Sequence, residues 1–206
     1  AMGRLGGAEN GFGSDADVMF VHRPVEGADE GEAQTQANRI VNRLMQLIKQ
    51  PVRPAIRAER PLEVDADLRP EGKQGALVRS LDSYRAYYER WAETWEFQAL
   101  LRARPIAGSE DLGRAFVELI DPYRYPREFT AEQAQQVRRM KARVEHERMP
   151  HGADRTRQLK LGRGGLSDVE WLVQLIQLQH AHEVQGLRTT STLEALNAAV
   201  DANLVA

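Results

Sequence analysis

Residues 13–22 read Gly-Ser-Asp-Ala-Asp-Val-Met-Phe-Val-His, and the β-branched and aromatic run that begins at Ala16 predicts a strand. Side chains along a strand alternate between its faces, so Asp15 and Asp17 would share one face, with Cα atoms about 6.6 Å apart. Two carboxylates this close repel each other unless a cation lies between them, and Mg²⁺ prefers such oxygen ligands. A solvated strand edge or turn is the simpler interpretation of one isolated pair.

A second acidic stretch, Leu-Glu-Val-Asp-Ala-Asp-Leu at residues 62–68, alternates strictly and predicts another strand. Its acidic residues would share one face: Glu63, Asp65 and Asp67. If the two strands pair, one of these carboxylates would lie beside Asp15 and Asp17. A third carboxylate would complete a two-metal site and could help to deprotonate an attacking hydroxyl. The two strands together therefore favour a metal-dependent site over two solvated edges.

Glycines and basic residues near the acidic strands are candidates for phosphate binding. Five glycines precede the first acidic pair: Gly3, Gly6, Gly7, Gly11 and Gly13. They predict a loop, and backbone N–H groups in such loops cradle phosphates. The basic candidates follow the second strand or lie near residue 105: Arg69, Lys73, Arg102 and Arg104. A solvated turn and a helix C-terminus, which favours cations, are the alternatives for these two pairs.

The rest of the chain is punctuated by helix signals. An apolar stripe predicts a helix that ends before Pro51, and the three prolines of residues 50–61 predict a linker. Ser80 would cap a long helix to about Arg104 with an aromatic core stripe, and the break at 105–109 predicts a domain boundary. Beyond it, capping boxes predict helices near 131–148, 168–183 and 192–203, beginning after Thr130, Ser167 and Ser191. The glycines and basic residues of 160–168 precede a predicted helix N-terminus, which is a candidate anion site.

Composition narrows the function classes. The chain has 206 residues, enough for one large or two small domains, and 28 basic against 30 acidic residues give a net charge of −2. This balance argues against a protein that binds nucleic acid in bulk. With no cysteine, disulfides, thiol nucleophiles and Cys-ligated zinc are excluded. No apolar run approaches the length that spans a bilayer, and the start lacks a signal peptide, so we expect a cytoplasmic protein.

Four spaced motifs carry a resemblance to a known family: residues 3–21, 64–81, 95–104 and 160–171. A glycine-rich loop, an Asp-x-Asp pair and a later Asp occur here in an order that resembles the pattern of DNA-polymerase-beta-type nucleotidyltransferases. Together the motifs resemble bacterial glutamine synthetase adenylyltransferases, and most closely the C-terminal half of actinobacterial members. The resemblance implies a helix-dominated α+β fold, with a nucleotidyltransferase domain of small mixed sheet and helices at 1–105 and a helical bundle at 106–206. It also implies that the chain is a piece of a longer protein.

The resemblance implies roles for individual residues. Asp15, Asp17 and Asp65 match the metal-binding and catalytic carboxylates. The nucleotide-binding residues would be Gly3, Arg4, Gly13, Ser14, Arg69, Lys73, Arg102 and Arg104. Two departures stand out, because many superfamily members have Gly-Ser where this chain has Gly3-Arg4, and many relatives have Arg in place of Asp67. The role of Asp67 stays open.

The activity implied by the resemblance is transfer of AMP from ATP, with Mg²⁺, to a tyrosine hydroxyl of glutamine synthetase. The PII signal protein and glutamine are further implied partners. Two alternatives remain, which are the adenylyl-removing half of the same enzyme and a non-catalytic module that docks glutamine synthetase or PII.

Overall fold

A computed structural model describes residues 1–11, 13–50, 62–154 and 156–205. The chain divides into two compact units, one of Ala1–Ala92 with Arg102–Leu119 and the other of Glu93–Leu101 with Ile120–Ala206. The chain passes from one unit to the other after residues 92, 101 and 119. The sequence predicts a single boundary near residue 105. That domain boundary stays a prediction. Residues 51–61, which make up most of the predicted linker, lie outside the described residues.

Two pairs of short parallel strands form the sheet structure of the first unit. The strands are β1 (Ala16–Asp17), β2 (Phe20–His22), β3 (Val64–Asp65) and β4 (Val78–Ser80). β1 pairs with β3, and β2 pairs with β4. The predicted strand at 16–22 is thus interrupted after Asp17, so that its two ends pair with different partners. β4 is not predicted by the sequence, in which Ser80 is recognised only as a helix cap.

The second acidic strand is shorter than its alternation predicts. β3 contains only Val64 and Asp65, because the backbone N–H of Asp67 donates to the Asp65 side chain and the Arg69 N–H donates to the carbonyl of Ala66. These two bonds turn the chain directly after the strand. The expectation that Asp67 lies on this strand is therefore wrong.

The first unit also contains α1 (Gly3–Gly6), α2 (Glu30–Ile48) and α3 (Leu81–Arg90). The turn of α1 stands where a loop was expected, and α2 ends before Pro51 as predicted. The predicted apolar stripe of α2 is only partly covered, because Val41 is buried while Ile40 is 62% exposed. Tyr84 of α3 is fully buried and donates its hydroxyl to the Phe20 carbonyl, so α3 is fastened to β2. Burial raises the pKa of Tyr84.

The predicted long helix from residue 80 to 104 is two helices. Ser80 caps α3 as expected by accepting the N–H of Ser83, but α3 ends at Arg90. The next helix, α4 (Thr94–Leu100), begins with its own capping box formed by Glu93 and Glu96. Trp91, a member of the predicted core stripe, lies at the break and is 73% exposed. Local capping therefore overrides the continuous aromatic spacing.

Helices dominate the second unit: α4, the end of α5 (Glu110–Arg124), α6 (Ala131–Arg148), α7 (Leu166–His180) and α8 (Thr192–Asp201). The caps predicted at Thr130 and Ser191 are confirmed. The cap predicted at Ser167 is wrong, because α7 begins at Leu166 after Gly165, and Ser167 is a buried residue inside it. The core is made by apolar side chains of these helices and of the segments next to them: Leu101, Val137, Val173, Ile176, Leu178, Leu187 and Ala195.

The chain has the helix-dominated α+β fold that was expected. Within the described ranges, no helix combines the length and the apolar composition needed to cross a bilayer.

Candidate active site

Two of the predicted carboxylates meet across a strand pair. In the parallel register of β1 and β3, Asp17 lies directly opposite Asp65. Neighbouring strands are about 4.8 Å apart, and opposed residues of a parallel pair project from the same face. Both side chains are half-buried. The strand pair therefore holds two carboxylates side by side at a partly sheltered surface.

The third predicted ligand, Asp15, is placed differently. It precedes β1 and is exposed, beyond a turn in which the Ser14 N–H donates to the carbonyl of Gly11 and Gly13 adopts a φ of +79°. Among the described residues, no three Asp, Glu, His or Cys side chains form a cluster arranged to hold a metal ion. The structure thus brings Asp17 and Asp65 together but does not gather Asp15 into the same cluster.

Asp67 finds its partners in the turn after β3. Its carboxylate lies 3.3 Å from Nζ of Lys73 and 3.5 Å from Nη1 of Arg69. Arg69 is buried and also donates to the carbonyls of Ala66 and Gly75. Both basic candidates for phosphate contact are therefore paired with Asp67. The role of Asp67, which the sequence leaves open, is to form ion pairs within this turn. A phosphate role for Arg69 and Lys73 stays a prediction.

Residues 3–9, which we call the glycine segment, approach Asp17 closely. Gly3 adopts a φ of +50°, and a Cβ atom at this position would overlap Oδ2 of Asp17. The N–H of Met2 donates to the Asp17 carbonyl at 2.8 Å, which places the start of the segment beside β1. The backbone conformation therefore favours glycine at position 3, and a side chain there would displace the Asp17 carboxylate. The half-buried Arg4 follows it in the turn of α1.

The two remaining basic candidates contact the glycine segment. Nη1 of Arg102 lies 2.9 Å from Oε2 of Glu9, and Arg104 donates to the carbonyls of Leu5 and Gly6. Sequence reasoning missed these contacts, because the partners are more than 90 residues apart.

The candidate anion site of the second unit holds a carboxylate of the chain itself. The Gly164 N–H donates to Oδ2 of Asp168 at 2.6 Å, and Lys141 of α6 contacts both Asp168 and Glu145. Burial lowers the pKa of Lys141, but the hydrogen bonds to Asp168 and Glu145 outweigh it and raise the pKa overall. The Lys141 hydrogen bond in turn lowers the pKa of Asp168. The amide of Gly164, two residues before α7, is thus already paired.

Comparison with known proteins shows the family. The model of the glutamate-ammonia ligase adenylyltransferase family matches residues 1–119. The chain belongs to this family. The model of the GlnD PII-uridylyltransferase family matches residues 138–206. The family expected from the four motifs is confirmed.

Curated relatives of this adenylyltransferase family are similar along nearly the whole chain. The three compared below each carry the name bifunctional glutamine synthetase adenylyltransferase/adenylyl-removing enzyme. The Streptomyces avermitilis protein is 58% identical over 99% of this chain and 20% of its own length. The Mycobacterium leprae protein is 54% identical over the same shares, and the Corynebacterium glutamicum protein is 56% identical over 95% of this chain and 18% of its own length. The chain spans about a fifth of these relatives.

Proposed function

We propose that this chain carries an adenylylating centre that transfers AMP from ATP to a tyrosine hydroxyl of glutamine synthetase and releases pyrophosphate. The observation that carries the proposal is the placement of Asp17 opposite Asp65, with the backbone of Gly3 against the Asp17 carboxylate. Membership of the adenylyltransferase family supports it. The assignment to the C-terminal half rests on the sequence resemblance alone.

The donor set suits Mg²⁺. Carboxylate oxygens are its preferred protein ligands, and Asp17 and Asp65 present them side by side. Asp15 would be the third ligand of this proposed site. Mg²⁺ bound there would supply positive charge that offsets the charge of a triphosphate.

Transfer of AMP to the tyrosine hydroxyl needs no covalent bond to the protein. A bond forms between the tyrosine oxygen and the α-phosphorus, and the bond from the α-phosphorus to the oxygen that bridges to the β-phosphate breaks. The electron pair of that bond leaves with pyrophosphate. Asp65 assists by accepting the hydroxyl proton. Backbone N–H groups at the start of the glycine segment orient the phosphates, because those of residues 6–9 already donate to carbonyls of the chain. Positioning and charge neutralisation thus supply most of the rate.

The proposal is tested by removing the carboxylates without changing their shape. In the full chain, Asp15→Asn combined with Asp17→Asn should lower transfer of label from α-labelled ATP to glutamine synthetase by at least about a hundredfold, the scale of one lost electrostatic contact. Asp82→Asn, at an exposed carboxylate of the same unit, is the matched control and should retain activity. Undiminished labelling by the double variant would contradict the proposal.

The adenylyl-removing reaction is the second candidate, because the named relatives are bifunctional. It is distinguished by supplying adenylylated glutamine synthetase with inorganic phosphate and measuring release of ADP. ADP release without labelling from ATP would replace our proposal with this one. Calorimetry that detects glutamine synthetase binding but no Mg·ATP binding would instead assign the chain a docking role. PII and glutamine stay predicted partners.

A further inference from the structure

Arg104 is bonded to the end of the short helix α1. Its Nε donates to the carbonyl of Gly6 at 2.8 Å, and its Nη2 donates to the carbonyl of Leu5 at 3.1 Å. The Leu5 carbonyl also accepts the N–H of Ala8, so the guanidinium adds a second donor there and bonds the Gly6 carbonyl at the same time. Arg104 therefore holds the last turn of α1 by its backbone.

Arg102 holds the same segment through a side chain. Its guanidinium is 2.9 Å from the Glu9 carboxylate, and the residue is only 5% exposed. A charge buried to this extent depends on its partners, because loss of an ion-pair partner leaves it less compensated in a poorly solvated place. The Arg102–Glu9 pair thus fixes the far end of the glycine segment.

The backbone completes the attachment. A Cβ atom on Gly6 would overlap the carbonyl of Arg102, so the two backbones touch there. The Arg104 N–H donates to the carbonyl of Ala1 at 3.0 Å, and the Met2 N–H donates to the carbonyl of Asp17 at 2.8 Å. Residues 1–2 therefore lie between residues 102–104 on one side and β1 on the other. The glycine segment follows directly after Met2.

We propose that Arg102 and Arg104 are positioning residues that hold the glycine segment against Asp17, and that they act on bound nucleotide through this segment rather than by contacting its phosphates. The inference rests on the proposed function for its nucleotide. It differs from the expectation drawn from the sequence, in which both arginines bind the nucleotide themselves. Four of the contacts above are made to the segment itself: two side-chain bonds of Arg104, the Arg102–Glu9 ion pair, and the approach of Gly6 to the Arg102 carbonyl.

Glu9 distinguishes the two roles, because they predict opposite signs. If Arg102 positions the segment, Glu9→Ala removes the anchor and should weaken binding of Mg·ATP to the full chain roughly tenfold, as misplacement of binding groups does. If Arg102 contacts phosphate, removing the competing carboxylate frees the guanidinium and tightens binding. Tighter binding by Glu9→Ala in calorimetry would overturn the proposal. Glu9→Gln, which keeps an acceptor for Arg102, should fall between wild type and Glu9→Ala.

Hydrogen exchange tests the anchor without nucleotide. Amides of residues 3–9 should lose protection in Arg104→Gln, and Arg104→Lys should restore it only in part, because one ammonium group does not reproduce the two-pronged fork. Arg85→Gln, at an exposed arginine of α3, is the matched control and should leave protection unchanged.

The two proposals fail in different ways. Unchanged amide protection of residues 3–9 in Arg104→Gln would overturn the proposal that Arg104 holds this segment, whether or not the chain binds nucleotide. A wild-type chain that binds no Mg·ATP would overturn the proposed function, while the exchange measurement would still decide whether Arg104 holds the segment.

Discussion

Gly3 combines a positive φ with a close approach to a proposed metal ligand. Its positive φ disfavours any side chain, and a Cβ atom would overlap the Asp17 carboxylate. Gly27 also has a positive φ, of +78°, but a Cβ atom there would meet open space. A comparison of substitutions at Gly3 and Gly27 therefore distinguishes the cost of backbone strain from the cost of steric overlap.

We predict that Gly3→Ala lowers the free energy of unfolding by more than Gly27→Ala, for which strain alone costs about 1–2 kcal/mol. Gly3→Ala should also weaken Mg·ATP binding, since the displaced carboxylate is a proposed metal ligand. Urea unfolding and calorimetry on the same preparations measure both effects. Equal losses of stability in the two variants would show that the overlap with Asp17 is relieved at no cost.

At the scale of elements, Lys141 joins α6 to α7. Its ammonium group contacts Glu145 within α6 and Asp168 across the helix pair, and the Lys141 and Asp168 side chains are 25% and 32% exposed. Arg143 makes a similar bond to Glu147, but only within α6 and at the exposed surface. The first contact links two elements and the second does not.

We predict that Lys141→Met lowers the free energy of unfolding by about 1 kcal/mol, the upper end for a partly exposed pair. Arg143→Met, the matched control, should have no measurable effect. Denaturant titration of both variants at neutral pH tests this. Equal stability of Lys141→Met and wild type would show that the bridge contributes nothing.

The same bridge has a pH dependence of defined sign. The pKa of Asp168 is lowered in the folded chain, so its contribution is present above the unfolded pKa and is lost as pH falls through the folded value. The pKa of Lys141 is raised, so its contribution is present below the unfolded pKa and is lost as pH rises through the folded value. The stability difference between wild type and Lys141→Met should therefore narrow at both extremes of pH. A difference constant from acid to strongly alkaline pH would contradict this.

At the scale of the whole molecule, the unit that binds nucleotide should be the one that Mg·ATP stabilises. Mg·ATP at a hundred times its dissociation constant should add about 2.7 kcal/mol to the free energy of unfolding of the part that binds it. All of the proposed site residues lie within Ala1–Ala92 and Arg102–Leu119. We therefore expect increased amide protection in this unit, and no increase when EDTA removes Mg²⁺. Increased protection limited to the second unit would contradict the proposed site.

Local patterns predicted much of the structure. The caps at Thr130 and Ser191, the end of α2 before Pro51 and the alternation within each acidic stretch depend on residues within a few positions of one another. Capping and alternation are short-range effects, so they can be recognised without knowing the path of the chain. The long helix was mispredicted at the same scale, because the Glu93 capping box competes with the aromatic spacing.

Motifs within the sequence are enough to identify the family and the carboxylates, glycines and arginines of one candidate site. Their partners depend on the tertiary structure: Asp17 lies opposite Asp65 rather than grouped with Asp15, Asp67 binds Arg69 and Lys73, and Arg102 and Arg104 contact the glycine segment. Pairing register and the contacts of the two arginines depend on where distant segments meet. Residue spacing along the chain does not carry that information, because it is decided by the packing of the whole first unit.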